Sequence, residues 1–402
     1  MTKFSEINID TAFSYIKNRL FNPDTRLIYD HAHARCAEHF PTPDEVAKSF
    51  PNPCGYSVGM EDGMINGGTA VDFCLLRYKI DGDKSSLDFA RELVKGMLNC
   101  VKNTKSEGYV PRGVTIIDGK SCYCDSSIDQ YTMFVFGMMR FFESGNATSE
   151  EIEEITKAVV SVARRAKNNP TPENGYDLLR DDGGKSIVSR IWGDARGNHE
   201  RLRLPMIFAA AYRLTGDSEW KNLYEKIIDE GIGKSLPMTD YWHLYTLQQM
   251  QASIYVCKMG DDNCQRREAL CALSDKVAQY AKEKVLCVEN QLDSHTNYNA
   301  PYAPFRSCSK DMVSNGKFTD VGFPDAFHPE RKDAHEFFTL QDAANIAVIL
   351  GFSDNVKADE CVLALFAKAL SKIDFNIHER CVPVHFVDGY YRLKGKNYAY
   401  KK

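Results

Sequence analysis

The sequence contains no run of about 18 consecutive apolar residues, so no membrane-spanning helix is expected. It has no excess of positive charge. Fifty Lys and Arg face 55 Asp and Glu, for a net charge of -5 and a pI near 6.1. A phosphate-tracking surface needs a basic patch, so nucleic acid is not an expected partner. The N-terminus, MTKFSEINIDTAFSYIKNRL, lacks the apolar core of a secretory signal, which makes the cytoplasm the expected location. No Ser/Gly/Pro-rich linker and no low-complexity stretch divides the chain, so one domain over residues 1–402 is expected. There is no H-E-x-x-H motif. Cys122 and Cys124, beside Asp125, are the nearest approach to a ligand set and lack a second pair at zinc-ribbon spacing. No catalytic metal and no cofactor are therefore expected.

Cysteine itself is plentiful. There are 13, an odd number, scattered along the chain, and Cys74, Cys100, Cys257, Cys271 and Cys361 fall at apolar positions of predicted helices. Buried free thiols in a reducing compartment account for this better than a disulfide framework does. A hydrophobic content of 43% is enough for a large core.

What organises the chain is a repeated helical hairpin. RYKIDGDKSSLDFA and AYRLTGDSEWKNLY align, each ending one helix, turning through Gly-Asp and starting the next. Glycine supplies the positive φ of a helix C-cap, and Asp or Ser caps the following helix. Five such hairpins are predicted, over 64–100, 129–166, 200–233, 241–284 and 339–373, with a further helix near 8–20. First helices are apolar nearly all round, as buried helices are. Second helices are amphipathic, as an outer shell is. The fold class expected is all-α, an (α/α) toroid of two concentric helical rings. An open α-solenoid is the alternative. Long irregular segments at 102–124, 168–196 and 286–334 precede inner helices, which suits loops gathered over one end of a toroid. The alternating stretch IHERCVPVHFVDGYYRL suggests a short β decoration near 376–395.

In a toroid the pocket opens where the inner helices begin, and free N–H groups there favour anions. The matching segments, GMEDGMINGG, YCDSSIDQYT, IWGDARGNHERLR, TDYWHLYTLQQ and DAHEFFTLQD, all carry acids. Two carboxylates in one desolvated pocket push one pKa up, leaving a protonated acid and an ionised partner. The loops GYVPRGV and SHTNYNAPYAPFRSC add Arg and aromatic residues.

The pattern over about residues 58–232 resembles the unsaturated glucuronyl hydrolases, a family of six-hairpin (α/α) toroid glycosidases. The matching elements are MEDG with RYKIDGD, GYVPRGV, SSIDQYT, and WGDARGNH with YRLTGD. Three departures stand out. Glu61 replaces a His, His199 stands near the place of a second Trp, and the Trp-Arg spacing is two residues longer. The resemblance implies Asp129 as general acid/base and Asp62 as the other pocket carboxylate. Glu61 and Asp125 are the neighbouring candidates. Arg112, Arg196 and Arg306 are candidates for binding a substrate carboxylate. Trp192, Trp242, Tyr131 and Tyr298 are candidates for stacking on sugar faces. Asn66, Gln130, Asp194, His199, His295, His335 and Glu336 complete the expected substrate-binding set.

The function expected on this basis is a glycoside hydrolase removing a terminal uronic acid, saturated or unsaturated, from an oligosaccharide. Two readings compete with it. One is a sugar 2-epimerase-like isomerase using His as acid and base. The other is a non-enzymatic helical scaffold binding carbohydrate or partners.

Overall fold

The computed structural model describes residues 9–48, 60–186, 188–194, 196–236, 243–295, 298–299 and 334–399. The chain opens with α1 (Asp10–Tyr15) and a π-helical turn (Ile16–Leu20). An antiparallel pair, β1 (Phe21–Asn22) with β2 (Leu27–Ile28), and the short α2 (Pro43–Lys48) follow. Helices then come in pairs. They are α3 (Gly63–Asp81) with α4 (Lys84–Lys102), α5 (Ile128–Glu143) with α6 (Ser149–Asn168), α7 (Arg203–Thr215) with α8 (Ser218–Ser235), and α9 (Leu244–Gly260) with α10 (Cys264–Glu283). After α11 (Val285–Ser294) come α12 (Ala334–Phe352), α13 (Glu360–Ser371) and α14 (Pro383–Ala399).

The hairpins close as the sequence predicts. Gly82 and Gly216 end α3 and α7 in the left-handed region, at φ 72° and 69°. Asp83 and Asp217 then cap α4 and α8 by accepting from the Ser85 and Glu219 amides. Outer helices bury one face only. Inner helices are buried almost throughout, so packing rather than propensity holds them.

The first helices of the pairs, with α14, form a closed ring. α3 packs on α5, α5 on α7, α7 on α9, α9 on α12, α12 on α14, and α14 on α3. Each outer helix carries the chain back, so all six inner helices begin at one end. The fold is an all-α (α/α) toroid, and an open solenoid is excluded because its first and last inner helices would not touch. α3 and α5 cross backbone to backbone. A Cβ on Gly68 would stand 2.1 Å from the Met133 carbonyl, and one on Gly137 would stand 2.8 Å from Gly68 Cα.

The expected β decoration near 376–395 is not formed. That stretch supplies α14, the sixth inner helix, with α1 packed on it in the outer position. Val384, Phe386, Val387 and Tyr391 face neighbouring helices on every side, and His385 and Asp388 are buried with them. A helix buried all round shows no 3.6-residue period, so its alternation misleads. No described helix is long and apolar enough to cross a membrane.

Midway along α3, Asp72 accepts hydrogen bonds from Arg140 of α5 and Arg392 of α14. Arg392 also bonds Asp388 at 2.9 Å and lies 3.5 Å from the Phe352 ring centroid. Burial alone would raise the Asp72 pKa. The two guanidinium groups overcome it and hold the carboxyl below its usual range. This cluster ties the first, second and last inner helices together.

Candidate active site

Where the inner helices begin, the loop 108–114 lies against the start of α3. Gly63 N–H donates to the Arg112 carbonyl at 2.8 Å, and a Cβ on Gly63 would stand 2.8 Å from that oxygen. The preceding residue, Asp62, is a non-glycine residue at φ 53°, a strained conformation that turns its side chain out of the helix. Its Oδ1 accepts from Gln130 Nε2 at 2.9 Å and lies 3.7 Å from Arg112 Nη1. The side chain is 37% exposed, open to the hole although protein surrounds it on the other sides.

Asp129 stands in the first turn of α5, behind the N-cap Ser127. No capping box with Ser126 forms. Its carboxylate instead accepts from the Arg203 guanidinium, on the first residue of α7. Arg203 is 1% exposed. Burial opposes its charge, yet Asp129 and Glu200 hold its pKa above the usual value. Asp62 is raised, first by burial and also by the field of Asp129, with Arg112 and Gln130 opposing. Asp62 is thus a carboxyl that favours its protonated form.

The other proposed acids are placed differently. Glu61 is buried at 2%, with Oε2 3.5 Å from Arg112 Nη1, so it is a counter-ion within the wall. Asp125 is also buried. It accepts from the Ser126 amide at 2.9 Å, and its pKa is raised by burial. It pins the loop before α5.

Several expected substrate contacts are engaged elsewhere. Tyr131 turns away from the hole into the core, beside Arg165 of α6. Asp194 is on the surface, paired with Lys234 at 2.7 Å. Arg196 pairs with Glu200 at 2.9 Å through Nε and donates from Nη1 to the Arg190 carbonyl at 2.8 Å, so it is engaged within its own loop. Trp192 belongs to the apolar core. Tyr298 is buried, its hydroxyl donating to the Leu292 carbonyl, and His295 Nδ1 lies 3.3 Å from Thr339 Oγ1. Asn66 is buried on α3, with Cys381 as a side-chain partner. His199 is buried beside Asp129 and Arg203. Burial above all pushes its pKa down to about 4, so it is neutral. Trp242 and Arg306, and the side chains of His335 and Glu336, lie outside the described residues.

Other residues join the site without having been expected there. Arg203 is one, a lone cation opening the apolar run RLPMIFAAAY. Asp342 is another, a half-buried carboxyl on α12 with no hydrogen-bond or ion-pair partner among the described residues. Burial pushes its pKa up to about 7. Phe338, one turn earlier on the same face, lies parallel to His243 at the start of α9, their centroids 6.4 Å apart. The third is a polar chain across the ring. Gln341 Nε2 donates to His385 Nε2 at 3.0 Å, His385 Nδ1 to Gln248 Oε1 at 3.1 Å, and Gln248 Nε2 to Thr69 Oγ1 at 3.5 Å. Burial takes His385 down to about 3, so the ring is neutral, and these directions are those of its Nδ1–H tautomer. The buried amides of Gln249 and Asn345 have no protein partner among the described residues. Such groups suit the hydroxyls of a sugar.

Asp342 gives a pH-dependent expectation. Its folded pKa is raised above its unfolded value, so the folded state binds the extra proton and loses stability as pH rises from the unfolded value of 3.8 towards about 7. Asp342→Asn should therefore melt higher than wild type at about pH 8, with the gap closing at about pH 4. Paired thermal melts at both pH values check this, and a gap of the opposite sign would refute it.

No protein-family model matches the chain, and no curated protein matches it. Among solved structures, a glycoside hydrolase family 76 mannosidase from Bacteroides thetaiotaomicron VPI-5482 is similar over 98% of this chain and 99% of its own. The identity is 12% and the TM-score 0.47, so no residue role passes from one to the other.

Proposed function

We propose that this protein is a glycoside hydrolase acting on an oligosaccharide that ends in a uronic acid, saturated or 4,5-unsaturated. The observation that carries the reading is the Asp62–Asp129 pair. Two carboxylates on neighbouring inner helices stand within each other's field at the open end of the ring, one raised and one held by Arg203. Such a division supplies a proton donor and a proton acceptor in one pocket.

For a saturated uronide, Asp62 protonates the glycosidic oxygen while Asp129 takes a proton from the attacking water. For an unsaturated one, Asp62 protonates the vinyl ether, and water, losing its proton to Asp129, adds to the resulting cation. The hemiketal then collapses and releases the sugar alcohol, so one water is consumed and no redox partner is needed. Arg112, beside both Glu61 and Asp62, is the cation nearest the pair and serves to hold them. The preference for a uronide over a neutral sugar rests on the resemblance of the sequence motifs to the glucuronyl hydrolases.

The isomerase reading needs a histidine base that works near neutral pH. His199, at about 4, is a weak base for that task. Separate replacements of His199 and Asp129 discriminate. His199→Ala is expected to keep turnover within about tenfold, while Asp129→Asn loses it. Loss at His199 with tolerance at Asp129 would favour isomerisation.

A further inference from the structure

The segment from His31 to Phe40 carries three histidines, a cysteine and a glutamate, HAHARCAEH, and the catalytic reading uses none of them. It runs along the outside of the ring and is fastened to the residues just before α14. His31 bridges Arg380, Ala32 N–H donates to the Glu379 carbonyl at 2.9 Å, and Cys381 N–H donates to the Asp30 carbonyl at 3.1 Å. A turn after Ala34 and one turn of 3-10 helix over Ala37–His39 then fold the polar side chains together.

The result is a mixed sulfur, nitrogen and oxygen cluster. Cys36 Sγ, a Glu38 carboxylate oxygen and a His39 ring nitrogen all lie within 4.8 Å of one another. Cys36 Sγ is 3.4 Å from Glu38 Oε1, which is 3.8 Å from His39 Nε2. In a tetrahedral zinc site with bonds of about 2.0 to 2.3 Å, ligand atoms stand about 3.3 to 3.8 Å apart. The spacing already present is therefore close to that of a filled site. Around it is the support that metal ligands usually have. The His33 ring stacks on His39 with centroids 4.2 Å apart and planes 10° apart, which fixes the His39 ring plane. Glu379 in turn holds His33 at 3.2 Å. The cluster is half-exposed, so an ion can enter.

We infer that Cys36, Glu38 and His39 form a binding site for a zinc-type divalent ion, with the fourth position open to water. The donor set favours zinc, cobalt or nickel over calcium and magnesium, which require oxygen ligands. Binding converts the Cys36 thiol to a thiolate and releases its proton to solvent. No electron transfer is involved. None of the three ligands belongs to the catalytic pair, and the role inferred for the ion is structural. Its effect is to lock the 31–40 segment, whose anchors at Asp30 and Cys381 back onto Asp62. The site is thus a structural staple beside the open end of the toroid.

The test uses chelator-stripped full-length protein, titrated with Zn(II) by calorimetry and with Co(II) by absorbance. One tight equivalent of zinc per chain and a sulfur-to-cobalt charge-transfer band in the near ultraviolet are expected. Cys36→Ser should remove the band. Glu38→Gln and His39→Gln should each weaken zinc by at least about tenfold. Zinc should raise the melting temperature of wild type and not that of Cys36→Ser, whose half-exposed position tolerates the change. Two outcomes would overturn the assignment. In one, wild type takes up no stoichiometric ion. In the other, zinc affinity is the same in Cys36→Ser and His39→Gln, placing the ion on other cysteines.

Discussion

Asp129→Asn is expected to lose about 10²- to 10⁴-fold in kcat per folded molecule, the usual worth of general acid/base catalysis, and to lower the melting temperature as well, because the buried Arg203 guanidinium loses its paired anion. Asn keeps the size and one acceptor oxygen towards Arg203, so the fully buried guanidinium retains a hydrogen-bond partner. It cannot take a proton from water. No cap is at stake either, because Asp129 lies inside α5 and its carboxylate caps nothing. A purely structural acid would give the fall in stability alone, with turnover per folded molecule intact. Measuring kcat and the melting temperature on one preparation separates the two. A fall in kcat smaller than about tenfold would remove Asp129 from the mechanism. Asp62→Asn should give a loss of similar size and also flatten the alkaline side of the pH–rate profile, because Asp62 is the proton donor and activity falls as it loses its proton.

Asp72→Asn should show the reverse pattern. Asp72 is 0% exposed and accepts from both Arg140 and Arg392, and removing its charge leaves two guanidinium groups without their shared anion. Breaking a buried ion cluster from one side costs about 3 to 5 kcal/mol. Asp388 is a poor substitute, since burial above all raises its pKa and favours the neutral acid. Turnover per folded molecule at a permissive temperature should stay at the wild-type level, because Asp72 is fully buried and its partners are Arg140 and Arg392 rather than Asp62 or Asp129. The combined variant Asp72→Leu, Arg140→Met, Arg392→Met should be more stable than Asp72→Asn alone, because no unpaired charge is left behind. Denaturant unfolding of the two variants checks this. A cost under about 1 kcal/mol for Asp72→Asn would mean that this cluster does not hold the ring closed.

Five of the six inner helices were legible in the sequence because their turns announce themselves. Gly82-Asp83 and Gly216-Asp217 place a C-cap and an N-cap at adjacent residues, and α4 and α6 show the one-sided apolar stripe of an outer helix. The sixth was hidden. Pro383 to Tyr391 lies between α12, α3 and α1, so every face is apolar or internally paired and no period survives. Site positions followed from topology. Acids just before or within the first turn of an inner helix must lie near the opening, and Asp62 and Asp129 do. Orientation did not follow. Glu61 and Asp62 are adjacent, but only the left-handed turn at Asp62 decides which one is open to the hole. Arg203 and Asp342 were passed over because a single charge in an apolar run reads as a helix-end charge, and its partner, or lack of one, depends on a different helix. The Cys36 cluster has no motif spacing. It exists because one turn of 3-10 helix gathers residues that the sequence leaves as an irregular polar run.

Hydrolysis of a uronide by the Asp62–Asp129 pair is put to the test by mass spectrometry of saturated and 4,5-unsaturated uronide disaccharides incubated with wild type and with Asp129→Asn. Gain of one water and release of the reducing sugar from at least one of them, by wild type only, is expected. Release at equal rates by both proteins, or conversion of a sugar to an isomer of unchanged mass, would contradict it.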